Sequence, residues 1–319
     1  MKFLYILLCI SFFVLPWQFK PARNLAPGLA IIGGILFTVV LGNPFSARTG
    51  KMASPLLGTA IVMMGFGLEI RKIAETGISS FGYTAVGIAA AFAMGIVLGR
   101  LLKLEHDSYL LISSGTAICG GSAIAAVAPV LNAKAYNVAI STAVVFILNA
   151  VALLVFPTIG HYIGLSEDQF GLWSAVAIHD TSSVVGASVQ YGDRALEVAT
   201  TVKLARALWI VPVAFIVSLV VNRRGKPDTK SRIKIPWFIP CFILAATLVS
   251  FIPELVPAGK TIGNMSKYLL VTTLFIIGSN VSLGKIRELG FAPILHGTII
   301  WVILSAGWLA AIYANIISV

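Results

Sequence analysis

Charged side chains are scarce in this chain. Asp, Glu, Lys and Arg make up 11% of its 319 residues, hydrophobic residues make up 58%, and the mean hydropathy is +0.95. A water-soluble globular protein carries about 25% charged residues, so the composition excludes that class. Apolar runs long enough to cross roughly 30 Å of hydrocarbon recur along the whole length. We therefore expect an all-α integral membrane protein with a single membrane domain over residues 1–319.

Cysteine is also rare. Cys9, Cys119 and Cys241 lie far apart and lack the spacing of metal ligands, so the sequence predicts neither a disulfide framework nor a metal site. The GxSxG motif of hydrolases and the HExxH motif of zinc enzymes do not occur in the sequence either. We expect no catalytic residue, no cofactor and no enzyme, and a membrane-embedded enzyme stays as the third alternative function.

Basic residues are in excess, with a net charge of +11. The largest basic block, at residues 223–234, lies between two apolar runs. Basic residues there mark the cytoplasmic side of a membrane protein, so no nucleic-acid partner is predicted. The basic connections at 48–51, 100–103 and 285–287 fall on the same side when successive segments alternate in direction. This pattern predicts a cytoplasmic N-terminus and a C-terminus outside.

Eleven hydrophobic segments are separated by charged or Pro- and Gly-containing breaks. They lie near residues 3–15, 24–42, 51–69, 78–99, 108–130, 136–159, 170–190, 195–221, 235–252, 266–282 and 291–316. The first is short enough for a cleaved signal peptide. No small-residue cleavage site follows it, which favours a short first helix. We expect about 10–11 transmembrane segments.

Two segments are dominated by small residues, at 112–130 and 174–190, and they match weakly at an offset of 60. Small side chains let neighbouring helices approach closely, and the pair Gly120–Gly121 weakens a helix. Each segment is either a broken span or a re-entrant hairpin, and both alternatives leave the predicted orientation unchanged. As hairpins they would enter from opposite faces, since one span separates them, and meet near the midplane.

Residues 56–77 and 269–290 align without a gap, with Gly65 paired with Gly278 and Lys72 paired with Lys285. An odd number of crossings separates the two copies, so they should run in opposite directions through the membrane. The repeat elements extend near 51–100 and 266–316. Inverted repeats of this kind are typical of secondary transporters.

Polar residues inside apolar segments are the candidate functional residues. An ionised Asp at the bilayer centre costs at least about 2.5 kcal/mol, so His179 and Asp180 should face a cavity or a partner. A structural anchor is one interpretation, and a role in proton coupling or in lining the substrate site is the one we favour. Lys203 and Arg206 are three residues apart on one helix face. They either reach back to the headgroups or, as cations with few acidic neighbours, attract an anion.

Broken-helix N-termini near Gly120 and Asp180 would add backbone N–H groups that favour a negative ligand. The Gly278–Asn280 motif of the repeat indicates either helix packing or a third part of this site. The predicted substrate-binding residues are Lys203, Arg206, Cys119, Gly120, Gly121, Ser122, Thr181, Ser182, Ser183 and Asn280. The predicted coupling residues are His179 and Asp180.

The stretches ICGGSAIAAVAP (118–129) and AIHDTSSVVGAS (177–188), together with MGFGL and KLAR, resemble the YeiH-like family of bacterial membrane proteins, which carries a sulfate-exporter label. That family is similar to a larger group of inverted-repeat transporters that includes bile-acid symporters and cation/proton antiporters. The resemblance covers nearly the whole chain. It implies a mobile core of broken helices against a static panel, a homodimer and a bacterial inner-membrane location.

Together these features predict a secondary transporter of a small anion, such as sulfate or an organosulfonate, working as an exporter within membrane lipid. Protons through His179 or Asp180, sodium at unwound carbonyls, or the anion's own gradient are the alternative driving forces. An anion channel or uniporter is the alternative function.

Overall fold

The computed structural model describes residues 2–18, 22–222, 237–280 and 290–318. Within these ranges the chain forms fourteen α-helices and no β-strand. They are α1 (Lys2–Gln18), α2 (Ala22–Leu41), α3 (Ser46–Gly65), α4 (Ile70–Leu101), α5 (His106–Ala117), α6 (Gly121–Leu131), α7 (Ala135–Tyr162), α8 (Glu167–Ala177), α9 (Thr181–Tyr191), α10 (Asp193–Ala207), α11 (Ile210–Asn222), α12 (Phe238–Phe251), α13 (Val256–Gly278) and α14 (Phe291–Tyr313).

Each predicted hydrophobic segment coincides with one helix or with a broken pair of helices. The pairs are α5–α6, α8–α9 and α10–α11. By length and composition, four spans of the described chain are able to cross a membrane, and five if α12 and α13, bent by 110°, count as one. The protein is therefore an all-α, multi-pass integral membrane protein. The basic block at 223–234 and the connection at 285–287 lie outside the described residues.

Helix α4 begins earlier than its apolar pattern predicts, at Ile70 instead of residue 78. Arg71 and Glu75 form an i,i+4 ion pair of 2.9 Å in this first part, and both side chains are exposed. Such pairs favour helix formation in a polar sequence. The helix thus extends beyond its apolar part by polar turns that hydropathy does not detect.

The described chain divides into two compact units. The first contains Met1–Glu75, Gly186–Asp193 and Pro236–Leu283, and the second contains Thr76–Val185, Arg194–Ile235 and Gly284–Val319. This division does not test the prediction of a single membrane domain, which stays a prediction.

In the first unit, α3 and α13 pack in opposite directions. Thr49 near the start of α3 donates its hydroxyl to Asn280 Oδ1 just after the end of α13, at 2.9 Å. At the other end, a Cβ built on Gly263 would lie 3.1 Å from Cα of Gly67. The two helices end at Gly65 and Gly278, positions that the sequence repeat pairs. Antiparallel packing is the arrangement that an inverted repeat requires.

Helix α1 is an integral part of the first unit. Its Tyr5 is 3% exposed and contacts the rings of Phe37 and Phe275, at centroid distances of 5.4 and 5.3 Å. The Tyr5 hydroxyl and Ser279 Oγ share a hydrogen bond of 2.7 Å. The first hydrophobic segment therefore packs as a helix of this unit.

In the second unit, α5 and α6 form a helical hairpin. Glu105, just before α5, accepts hydrogen bonds from Lys134 Nζ at 3.2 Å and from Asn137 Nδ2 at 2.8 Å, and these residues lie at the start of α7. Leu111 of α5 packs in one buried cluster with Ile124 of α6. The chain therefore enters and leaves this hairpin at the same end of α7.

Helices α8 and α9 form a second hairpin at the opposite end of α7. Glu167 at the start of α8 accepts hydrogen bonds from the backbone N–H groups of Arg194, at 2.7 Å, and Ala195, at 3.2 Å. Arg194 Nε donates to Asp168 at 2.8 Å. Helix α7 has 28 residues, which corresponds to roughly 42 Å. The two hairpins thus enter from opposite ends of a span long enough to cross a bilayer.

Helix α10 runs from the base of the second hairpin to its tip. A Cβ built on Gly171 of α8 would lie 2.8 Å from the carbonyl oxygen of Ala195, so the two backbones are closely packed. Near its end α10 carries Lys203 and Arg206, and α11 follows after a two-residue turn. Val217 of α11 then packs against the buried cluster of the first hairpin.

Candidate functional site

The tips of the two hairpins meet at Gly120 and Asp180, beside the middle of α7. Gly120 has φ +68° and ψ −128°, and a Cβ there would lie 3.4 Å from Cβ of Asp180 and 3.4 Å from Val145 of α7. A positive φ of this kind is strained for residues with a side chain. The offset of 60 between the small-residue segments pairs these two positions. The backbone conformation of this tip therefore favours a glycine.

Lys203 binds the C-terminal end of the first helix of each hairpin, α5 in the first hairpin and α8 in the second. Its side chain is 0% exposed, and Nζ donates to the carbonyl oxygens of Ile178 at 2.7 Å, Ile118 at 3.2 Å and Ala175 at 3.3 Å. These carbonyls lie at the C-terminal ends of α5 and α8, where no backbone N–H within the helix is available to them. An ammonium group has three N–H donors, so all three are occupied.

Arg206 binds the neighbouring carbonyls. Nε donates to Ala117 at 2.9 Å, and Nη2 donates to Ala117 at 2.6 Å and to Thr116 at 3.4 Å. Nη1 donates to Val176 and, at 3.4 Å, to Ala175. Arg206 is 2% exposed. Its five N–H groups thus have five carbonyl contacts.

The sequence did not predict these partners, because it showed only that acidic neighbours were few. The half-helix C-termini carry partial negative charge, which stabilises a buried cation. Trp301 Nε1 donates to a further carbonyl of α8, that of Ala177, at 3.0 Å. An anion that bonded directly to Lys203 or Arg206 would have to displace a carbonyl from the N–H groups. The role of the two cations as direct ligands stays a prediction.

The second helices of the two hairpins, α6 and α9, differ at their N-termini. Asp180 caps α9, because its Oδ2 accepts from the backbone N–H of Ser182 at 3.0 Å and from the Ser182 hydroxyl. Helix α6 has Gly120 as its N-cap, and this residue supplies no side-chain acceptor. Ser122 in its first turn is exposed. The N-terminus of α6 therefore has the amide donors of an anion site without a carboxylate of its own.

His179 is buried at the second tip, and neither ring nitrogen has a hydrogen-bond partner among the described residues. Its backbone N–H and that of Asp180 donate to Asn149 Oδ1, at 3.0 and 3.3 Å. Sequence reasoning missed Asn149. Its signal was an amide side chain in the middle of the predicted apolar span 136–159.

The structure brings most of the predicted residues together. The two tips and the end of α10 contain Cys119, Gly120, Gly121, Ser122, His179, Asp180, Thr181, Ser182, Ser183, Lys203 and Arg206. Asn280 belongs to the first unit, where Asn43 Nδ2 donates to its Oδ1 at 3.2 Å. Among the residues that the structure describes, no group of three His, Cys, Asp or Glu residues is arranged to hold a metal ion.

Comparison with known proteins places the chain in a family. The family model described as "Conserved hypothetical protein 698" matches residues 2–297. A UPF0324 membrane protein of Bdellovibrio bacteriovorus is 47% identical over 89% of this chain and 87% of its own. The UPF0324 membrane proteins of Bacteroides thetaiotaomicron (42% identity; 90% and 86% covered) and Geobacter sulfurreducens (41%; 89% and 89%) are also similar. No solved structure matches the chain. The chain, with its two opposed hairpins, belongs to the conserved hypothetical protein 698 family of bacterial membrane proteins.

Proposed function

We propose that this protein is a secondary transporter of a small anion. The observation that carries the proposal is the meeting of two hairpins, from opposite ends of α7, at Gly120 and Asp180 next to two buried cations. Non-helical backbone at membrane depth is tolerated where protein or a water-filled cavity surrounds it. Transporter sites lie at such helix breaks, and each hairpin links the site to one face of the membrane.

The charge of the tips supports an anion as substrate. Lys203 and Arg206 contribute two positive charges and Asp180 at most one negative charge, so the cluster is cationic overall. Since the N–H donors of both cations are occupied, we propose that they act mainly through their electrostatic potential. The amide groups at the start of α6, with the hydroxyl of Ser122, would then bind the anion directly.

The finer assignments rest on the sequence. Its resemblance to the YeiH-like family supports the substrate, the direction, the homodimer and the location, whereas the basic connections support the orientation and the titratable residues of the second tip support the coupling. We propose sulfate or an organosulfonate as the substrate, export as the direction, and a homodimer in the bacterial inner membrane as the working form. The N-terminus would face the cytoplasm. His179 and Asp180 would carry the coupling protons, with sodium as the alternative coupling ion.

Counterflow in proteoliposomes tests the transporter proposal. Vesicles loaded with unlabelled sulfate, taurine or sulfoacetate are diluted into a trace of the labelled compound. A transporter produces a transient accumulation of label that empty vesicles and vesicles loaded with chloride do not show. If no anion gives counterflow, or if the protein conducts in planar bilayers far above carrier turnover, the proposal is wrong.

A pH gradient tests the coupling residues. His179→Gln and Asp180→Asn should abolish flux driven by the gradient and leave anion exchange in place, because each variant keeps a polar side chain but loses a titrating group. Glu254→Gln is the matched control, since Glu254 is exposed. If both tip variants keep the flux that the pH gradient drives, neither residue carries the coupling.

A further inference from the structure

The strongest unexplained feature of the tips is the side chain of Asn149. It lies in the middle of α7 and is 3% exposed. Its Oδ1 accepts from two backbone N–H groups, those of His179 and Asp180. Because both partners are donors, the atom that faces them must be the oxygen, and this fixes Nδ2 as the other end of the amide.

The Nδ2 group of Asn149 is buried and has no hydrogen-bond partner among the described residues. A buried donor without a partner costs about 1–3 kcal/mol, and native proteins seldom leave one unfilled. Rotating the amide would not help, since Nδ2 would then face two N–H donors. Nδ2 therefore calls for an acceptor that no described residue supplies at hydrogen-bond distance.

The position of Asn149 assigns that acceptor to the meeting point of the hairpins. Val145 lies one helical turn earlier on the same face of α7, and it is 3.4 Å from a Cβ built on Gly120. Gly120 precedes the first turn of α6 and, as its N-cap, supplies no side-chain acceptor. Asn149, which contacts the Asp180 amide, and Gly120, which lies next to Asp180, thus belong to the same meeting point.

The equivalent point in the second hairpin shows what fits such a site. There the carboxylate of Asp180 accepts from the first turn of α9. The weak sequence match pairs Asp180 with Gly120, so the first hairpin lacks the carboxylate that the second one has. A ligand with the same chemistry, a compact oxyanion, would complete the first hairpin.

We propose that Asn149 Nδ2 binds an oxygen of the transported oxyanion together with the backbone amides at the start of α6. This inference rests on the proposed function and assigns its substrate class: sulfate, sulfite, a sulfonate or a carboxylate. Lys203 and Arg206 stabilise the bound charge from the carbonyl side of the same tips without contacting it. Asn149 is then the side chain that selects an oxygen acceptor.

Anion binding to purified protein in detergent tests the proposal, by thermal shift and by titration calorimetry with sulfate, methanesulfonate and acetate. Asn149→Asp keeps an oxygen for the His179 and Asp180 amides and replaces the donor. We expect it to weaken oxyanion binding about tenfold or more, the effect of losing one hydrogen bond to a charged group. Asn264→Asp is the control, because Asn264 is exposed in α13 of the first unit.

Asn149→Ser removes the donor without adding the charge that Asn149→Asp introduces. It also tests the proposal if Asn149→Asp does not fold. It too should weaken binding about tenfold or more. If the wild type binds an oxyanion and Asn149→Ser binds it within twofold of the wild type, a water fills the site and this inference is wrong. If the wild type binds no oxyanion, the proposed substrate class fails, and this assignment fails with it.

Discussion

Nζ of Lys203 lies 2.7 Å from the carbonyl oxygen of Ile178, so a buried cation binds the C-terminal end of α8 in the second hairpin. The same ammonium group reaches Ile118 in the first hairpin. A charge in an apolar span is expensive, and a broken helix leaves carbonyls without donors. In this fold the buried cation and the unpaired carbonyls stabilise each other, because the cation supplies the missing N–H donors and the helix ends supply partial negative charge.

The first prediction concerns stability. Lys203→Met keeps most of the aliphatic stem but leaves three buried carbonyl contacts unfilled, so it should lower the free energy of unfolding by about 3 kcal/mol. The measurement is unfolding in mixed micelles with increasing sodium dodecyl sulfate. Lys260→Met is the control, because Lys260 is exposed, and it should change stability little. Equal stability of the two variants would show that Lys203 does not hold the tips.

The role of the cations as a source of potential has its own test. Lys203→Ala and Arg206→Ala should each abolish the stabilisation of the folded protein by bound anion, because the positive potential at the tips falls. The measurement is the anion-dependent shift in melting temperature, compared at matched ionic strength. A full shift in both variants would mean that neither cation contributes to the site.

Gly120 gives a second stability prediction. Gly120→Ala places a side chain at φ +68°, which costs about 1–3 kcal/mol of stability. The cost comes from the backbone conformation, because the new Cβ would meet Asp180 and Val145 at 3.4 Å, an ordinary van der Waals distance. Gly307→Ala is the control, because Gly307 lies in α14 with nothing within 4 Å of a built Cβ. Similar melting temperatures for both variants would contradict the backbone strain at Gly120.

Composition and periodicity predicted the helices and the two small-residue segments, because burial in lipid demands long apolar runs and close packing demands small side chains. They did not decide between broken spans and hairpins. That choice depends on contacts such as Glu105 with Lys134, which join residues on either side of the hairpin. Charge counting gives the same orientation for both alternatives, so it carries no information on the point.

The candidate site was predicted in part. The unusual residues of the tips were visible because they interrupt apolar sequence, as His179 and Lys203 do. The partners of Lys203 were not visible, because backbone carbonyls carry no sequence signal. Asn149 was missed because a single amide in a long apolar helix has many structural explanations, and only its contact with the His179 backbone distinguishes it.

The base of the first hairpin predicts a pH dependence. The hydrogen bond from Asn137, and then the bond and charge of Lys134, lower the pKa of Glu105. A carboxylate with a lowered pKa in the folded state stabilises the fold fully above its ordinary pKa of about 4.3 and loses this effect as the pH falls through the lowered value. Glu105→Gln should therefore melt below the wild type at pH 7, and the difference should vanish in acid. A difference that is unchanged in acid would contradict this pairing.

The opposed hairpins predict which side of the membrane each hairpin base faces. Single cysteines at His106 and Lys134, introduced into a variant without the three native cysteines, should be labelled from the cytoplasmic side, because the first hairpin returns to the face it enters. Cysteines at Tyr162 and Arg194 should be labelled from the outside, since α7 separates the two bases. The measurement compares an impermeant maleimide on intact cells with the same reagent on inverted vesicles. Broken spans would place His106 and Lys134 on opposite sides, and that result would remove the shared meeting point on which the proposed site depends.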